Sequence, residues 1–122
     1  MPEPITLGTG ALIWEYALKP ITDSIKKEYG EETKKLLKSG IEKAFEKLPF
    51  KKKELEVIET EIIDTDVTTL TDKSKFLDFV QNNQQIADIL NEAIKREPNI
   101  SIVIEKSYNE ILIDGNNNSI TF

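Results

Sequence analysis

At 122 residues the chain fits one domain built around one modest core. It contains no Cys and no His, which excludes disulfides, thiol nucleophiles, imidazole acid–base chemistry and zinc sites built on those ligands. A formal net charge of −6, with 31% charged residues, argues against duplex nucleic acid as the main partner and for helices with solvated faces.

The start, MPEPITLGTG, has no basic n-region, so no signal peptide is read there. No run approaches the roughly 20 apolar residues needed to span a bilayer, and the expected location is the cytoplasm. Residues 1–9 read as extended or loop, held open by Pro2 and Pro4. Residues 10–19 read as a short helix, apolar nearly all round, with Leu12, Ile13, Trp14, Tyr16, Ala17 and Leu18. Pro20 ends that helix or begins the next. Gly8-Thr9-Gly10 followed by Ile13 fails the dinucleotide pattern, and no strand precedes it.

The organising stretch is 20–48. Ile21, Ile25, Tyr29, Leu36, Leu37, Ile41, Ala44, Phe45 and Leu48 recur at spacings of three and four, with a gap at Thr33. This is one amphipathic helix, or two joined near Gly30. Thr22 and Asp23 can cap its start, and Pro49 stops it. Gly30 and Gly40 each weaken it by about 1 kcal/mol relative to Ala, and Gly30 is the expected break. Between residues 26 and 53 there are ten Lys against five Glu, a balance of +5; the remainder carries six basic and seventeen acidic groups, −11. The asymmetry reads as a basic helix beside acidic neighbours, or as a basic face for anionic lipid or RNA.

KKKELEVIETEIID places Leu55, Ile58 and Ile62 at helical spacing, although its β-branched content would also suit a strand; a helix is expected. Its acidic run, Glu54, Glu56, Glu59, Glu61, Asp64 and Asp66, is expected to lie in solvent rather than in a catalytic cleft. DTDVTTL reads as a loop, and it lacks the Gly and Glu of a calcium loop. Thr71 or Asp72 can cap a helix carrying Phe76, Leu77, Phe79 and Val80. Asn82-Asn83 interrupts the helical pattern, and 84–96 resumes it with Ile86, Ile89, Leu90, Ala93 and Ile94. Pro98 and Asn99 end the helical part. The expected core comprises Trp14, Ile41, Phe45, Leu48, Phe76, Phe79, Ile89 and Leu90.

In the last segment the period changes to two: Ile100, Ile102 and Ile104, then Ile111 and Ile113, then Ile120 and Phe122. Asp114-Gly115-Asn116-Asn117-Asn118 is a turn signal. The expected fold is therefore α+β: a single domain 1–122, with four or five helices in 1–98 followed by a C-terminal three-stranded antiparallel β-meander in 99–122. The last strand reads as an open edge, as in a domain cut from a longer protein or an edge that pairs with another chain. Ile111, Ile113, Gly115, Asn116, Asn117, Asn118, Ile120 and Phe122 are the candidate interaction residues. No catalytic, cofactor-binding or metal-ligating residue is expected: the serines have no His partner, no G-x-S-x-G occurs, and nothing has phosphate-loop spacing. An enzyme is not expected, and neither is a cofactor.

The order of features carries a resemblance. PITLGTGALIWEYALKPI, a Lys/Glu-rich helix, FLDFVQNNQQIADILNEAI and an Ile-rich end in IDGNNNSITF together resemble the N-terminal effector-associated regions of bacterial NACHT and related STAND signalling ATPases. That resemblance implies a non-catalytic protein-interaction or self-assembly module of a bacterial signalling or antiphage-defence protein, with a protein partner or a homo-oligomer and no nucleic acid. No ATPase motif is present, so ATP hydrolysis does not carry over. The apolar start, helical body and Gly-Asn-Asn stretch also look like HeLo-type membrane-perturbing effectors, although Glu15 interrupts the apolar run.

Overall fold

The computed structural model describes the backbone of residues 4–117, and the side chains of 6–107 and of Asn109. Every regular element among the described residues is helical: α1 (Pro4–Ile13), a π-helical turn (Trp14–Leu18), a 3-10 turn (Lys19–Ile21), α2 (Thr22–Lys27), α3 (Glu31–Ala44), α4 (Lys52–Ile63), α5 (Val67–Leu70), α6 (Lys73–Asn82), α7 (Gln84–Arg96) and α8 (Asn99–Asn117). α1 is the central rod. Its most extensive interface is with α8, and it also lies against α6 and α3, while α4 packs on α7. The residues expected to be extended at the start are thus helical from Pro4, with Pro in the first turn, where its missing N–H costs nothing.

The π turn follows from local chemistry. Pro20 has no N–H to offer the Tyr16 carbonyl, and its ring would crowd that carbonyl in a regular α-helix. The chain widens instead, and the Lys19 N–H reaches back to the Trp14 carbonyl. α3 crosses the π turn at Gly40, where an added Cβ would lie 2.6 Å from the Ala17 Cα and 3.1 Å from the Tyr16 carbonyl oxygen. Gly40 is therefore a point of close backbone approach rather than a helix break. The break falls at Gly30, as expected, where the N-terminus of α3 begins.

Capping explains the remaining boundaries. Asp72 Oδ1 accepts the Lys75 N–H to start α6, and Asn83 Oδ1 accepts the Ile86 N–H to start α7. Thr22 does not cap: its hydroxyl donates back to the Leu18 carbonyl at 2.8 Å. DTDVTTL contains the short α5, whose Asp66 accepts hydrogen bonds from the hydroxyls of Thr68 and Thr69; these bonds hold its carboxyl below the usual range.

The α+β expectation is overturned. The segment 99–117, expected to begin a β-meander, is the helix α8, and no strand occurs among the described residues. The period-two pattern was shared with a helical one: Ile100 and Ile104, four apart, are fully buried, whereas Ile102 between them is 62% exposed. Burial against α1 outweighs the β preference of four β-branched residues, since strand propensity is mostly a packing effect. Of the expected core, Trp14, Ile41, Phe45, Leu48, Phe76 and Leu90 are buried, and Phe79 and Ile89 are partly buried at its margin. Leu36, placed on the apolar stripe, instead faces solvent.

Candidate interaction groove

Three walls build a concave surface. Leu12 on α1 and Tyr16 on the π turn form one wall; Lys43, Ala44, Glu46, Lys47 and Leu48 at the end of α3 form a second; Val103 and Ser107 on α8 close the third. The groove has a volume of about 280 Å³. Leu12, Ala44 and Leu48 are buried and make its floor. Tyr16, 47% exposed, and Val103, 38% exposed, stand at its rim, and Ile102 is next to Val103 in the chain. Tyr16, Leu36, Ile102 and Val103 are the large apolar side chains that the described residues leave exposed, and two of them line this groove. Leu36 is exposed elsewhere on the bundle; what singles this surface out is that Tyr16 and Val103 flank one concavity, with Ile102 beside it in the chain. Lys43 and Lys47, one turn apart and both in solvent, give the rim a positive side opposite the Tyr16 wall. Two wider and more open depressions, of about 430 and 600 Å³, lie around Phe79 and around Val57.

The acidic run does not behave as a uniformly solvated face. Glu54 is 8% exposed and held by Arg96 through two hydrogen bonds, Nη1 to Oε2 at 2.9 Å and Nη2 to Oε1 at 2.8 Å. The Arg96 hydrogen bonds, together with the Lys51 N–H, hold the Glu54 carboxyl below its ordinary range. Arg96 Nη2 also reaches the Pro49 carbonyl at 3.1 Å, so one guanidinium fastens α7, α4 and the connection before α4. Glu59 is 4% exposed, and no donor among the described residues reaches its Oε2. Burial pushes its pKa from 4.5 to about 7, with Glu42 on α3 adding to the shift and Lys38 opposing it. Sequence reasoning placed both glutamates in solvent; the only signal was their position, four residues from Ile58 and Ile63 respectively, on the flanks of α4's apolar face. Tyr29 donates from Oη to the Ile63 carbonyl at 2.7 Å, and burial, with Asp64 nearby, pushes its phenol up to about 12.

The candidate residues taken from sequence are only partly brought together. Ile111, Ile113, Gly115, Asn116 and Asn117 lie in the C-terminal half of α8; Asn118, Ile120 and Phe122 lie outside the described residues. The expected open β edge, 119–122, lies outside the described residues, while 111–117, expected to be strand and turn, is helical. Leu12, Tyr16, Lys43, Lys47 and Val103 escaped the sequence reading as a group, because five residues from three distant helices carry no common spacing. Among the described residues no group of three or more acidic side chains is placed to hold a metal ion, and no helix is long and apolar enough to cross a membrane. The chain matches no protein-family model, and no curated protein or solved structure is significantly similar to it.

Proposed function

We propose that the chain is a non-catalytic protein-interaction module of a bacterial signalling or antiphage-defence protein, working in the cytoplasm. The observation that carries this reading is the groove: an apolar floor with Tyr16 and Val103 at its rim, two of the four large apolar side chains that the described residues leave exposed. The likeness of its sequence order to effector-associated regions of NACHT- and STAND-type ATPases supplies the signalling context. The segment 7–18, on which a membrane-perturbing reading rests, is the central helix and π turn of the bundle, with Leu12, Ile13 and Leu18 buried. Inserting those residues into lipid would require dismantling the core.

Two-hybrid tests of the chain against itself and against the products of neighbouring genes examine this reading. A positive pair is expected, abolished by Val103→Asp and unaffected by Lys95→Glu on the exposed part of α7, with circular dichroism unchanged in both variants. A positive pair indifferent to Val103→Asp places the interaction elsewhere and removes the groove as its basis.

A further inference from the structure

On that reading of the groove, we propose that its occupant is an acidic amphipathic helix, laid with its apolar face on Leu12, Ala44, Leu48 and Val103 and its acidic flank along Lys43 and Lys47. Recognition by strand addition needs an exposed sheet edge, and no strand occurs among the described residues. Recognition of a proline-rich helix needs an aromatic-lined groove, and among the described lining residues Tyr16 is the one aromatic. A volume of about 280 Å³ falls at or below the low end of small-ligand pockets, roughly 300–1,000 Å³, and an open trough of that size takes a few side chains. Helical walls from α3 and α8 flank it, which suits a helical rod presenting anchors at i, i+3 or i+4 and i+7.

Charge selects the class of helix. Lys43 and Lys47 project from the last turn of α3 and the turn after it, and both side chains are in solvent with no ion pair to another described residue. Glu46 between them tempers the field but does not reverse it, and the surrounding stretch 26–53 carries +5 in a chain of net −6. Carboxylates one turn apart on an incoming helix match the two ammonium groups, while a basic helix is repelled at the same positions. The concave shape distinguishes this occupant from a lipid surface, since a bilayer cannot descend to a floor formed by buried Ala44 and Leu48.

A displayed library of amphipathic helices of roughly five turns, with Leu, Ile or Phe at the anchor positions and random Glu or Lys elsewhere, tests the proposal against the full chain. Selection is expected to enrich Glu over Lys on one flank. Enriched peptides should bind more weakly at high salt, and about tenfold or more weakly to the Lys43→Glu, Lys47→Glu double variant. Lys95→Glu should leave their affinity unchanged. Val103→Asp gives a second readout through the apolar contact, should the double variant fold poorly by circular dichroism. Groove-dependent binding of Lys-rich or charge-indifferent helices overturns the acidic occupant and leaves the interaction reading standing. Self-association in analytical ultracentrifugation that the double variant abolishes makes a second copy the occupant. Sedimentation with phosphatidylserine vesicles that the same variant abolishes makes it lipid. Binding of none of these in a groove-dependent way removes both the occupant and the function proposed for the groove.

Discussion

Replacing Glu59 with Gln keeps the shape of the side chain and removes its titration. In the folded chain the carboxyl titrates near 7 rather than 4.5, because burial and the Glu42 carboxylate disfavour its charged form. Between those values the folded state holds a proton that the unfolded chain has released. Stability is therefore highest at the acid end of the window, falls as pH rises from about 4.5 to 7, and levels off above. A shift from 4.5 to about 7 corresponds to about 3 kcal/mol of lost stability at the alkaline end. Glu54 works in the opposite sense, since its lowered pKa gives stability that disappears as pH falls below the ordinary glutamate range. The wild-type chain should thus be most stable near pH 5. Glu59→Gln should leave stability at pH 5 nearly unchanged and raise it at pH 8 by about 1–3 kcal/mol, or roughly 4–12 °C in Tm for a domain of this size. Urea and thermal unfolding followed by circular dichroism at both pH values measure this. Equal pH dependence in the two proteins, or a Gln variant less stable at pH 8, refutes the assignment of a buried, proton-holding Glu59.

Other perturbations probe separate parts of the structure. Gly40→Ala should destabilise by about 1–3 kcal/mol despite the better helix propensity of Ala, because the new Cβ meets backbone at 2.6 Å; a raised Tm would contradict the close crossing of α3 on the π turn. Phe45→Ala removes a buried ring that stacks edge-on with Phe50 at 5.1 Å and should cost about 3–5 kcal/mol, read as a shifted urea midpoint. Glu54→Ala strips Arg96 and the Lys51 N–H of their shared acceptor and should cost about 1–3 kcal/mol at pH 7, with the difference from wild type shrinking in acid. Anionic liposomes loaded with dye should not leak on addition of micromolar protein; rapid release would favour the membrane-perturbing reading over the interaction module.

Features written locally were legible in the sequence. The breaks at Gly30 and at Asn82-Asn83, the Asp72 cap and the end of α7 before Pro98 all depend on one residue's own backbone or side-chain chemistry. Ile100 to Ile104 were misread because IxIxI fits period two and, through its first and last members, also a spacing of four. Only the presence of α1 as a partner decides between them. Glu59 was misread for a related reason: a glutamate beside an apolar stripe is buried or solvated according to what the neighbouring helix places over it. The groove was least legible of all, since Tyr16, Lys47 and Val103 become neighbours only after α3 and α8 have docked on the first helix.

The pairing of α1 with α8 has a consequence for synthesis. The largest interface in the fold joins the first helix to the last, across about 95 residues of chain. At roughly 5–20 residues per second, about 5–20 s pass between translation of the two helices. During that interval Leu12, Ile13 and the residues around them lack the surface that covers them. The helices between can form early, because their contacts are local, but the barrier to a closed bundle includes bringing together distant ends. The nascent chain therefore presents a sticky apolar segment before its own cover exists, and chaperone access or translation speed should govern the yield of folded protein more strongly than the stability of the finished bundle.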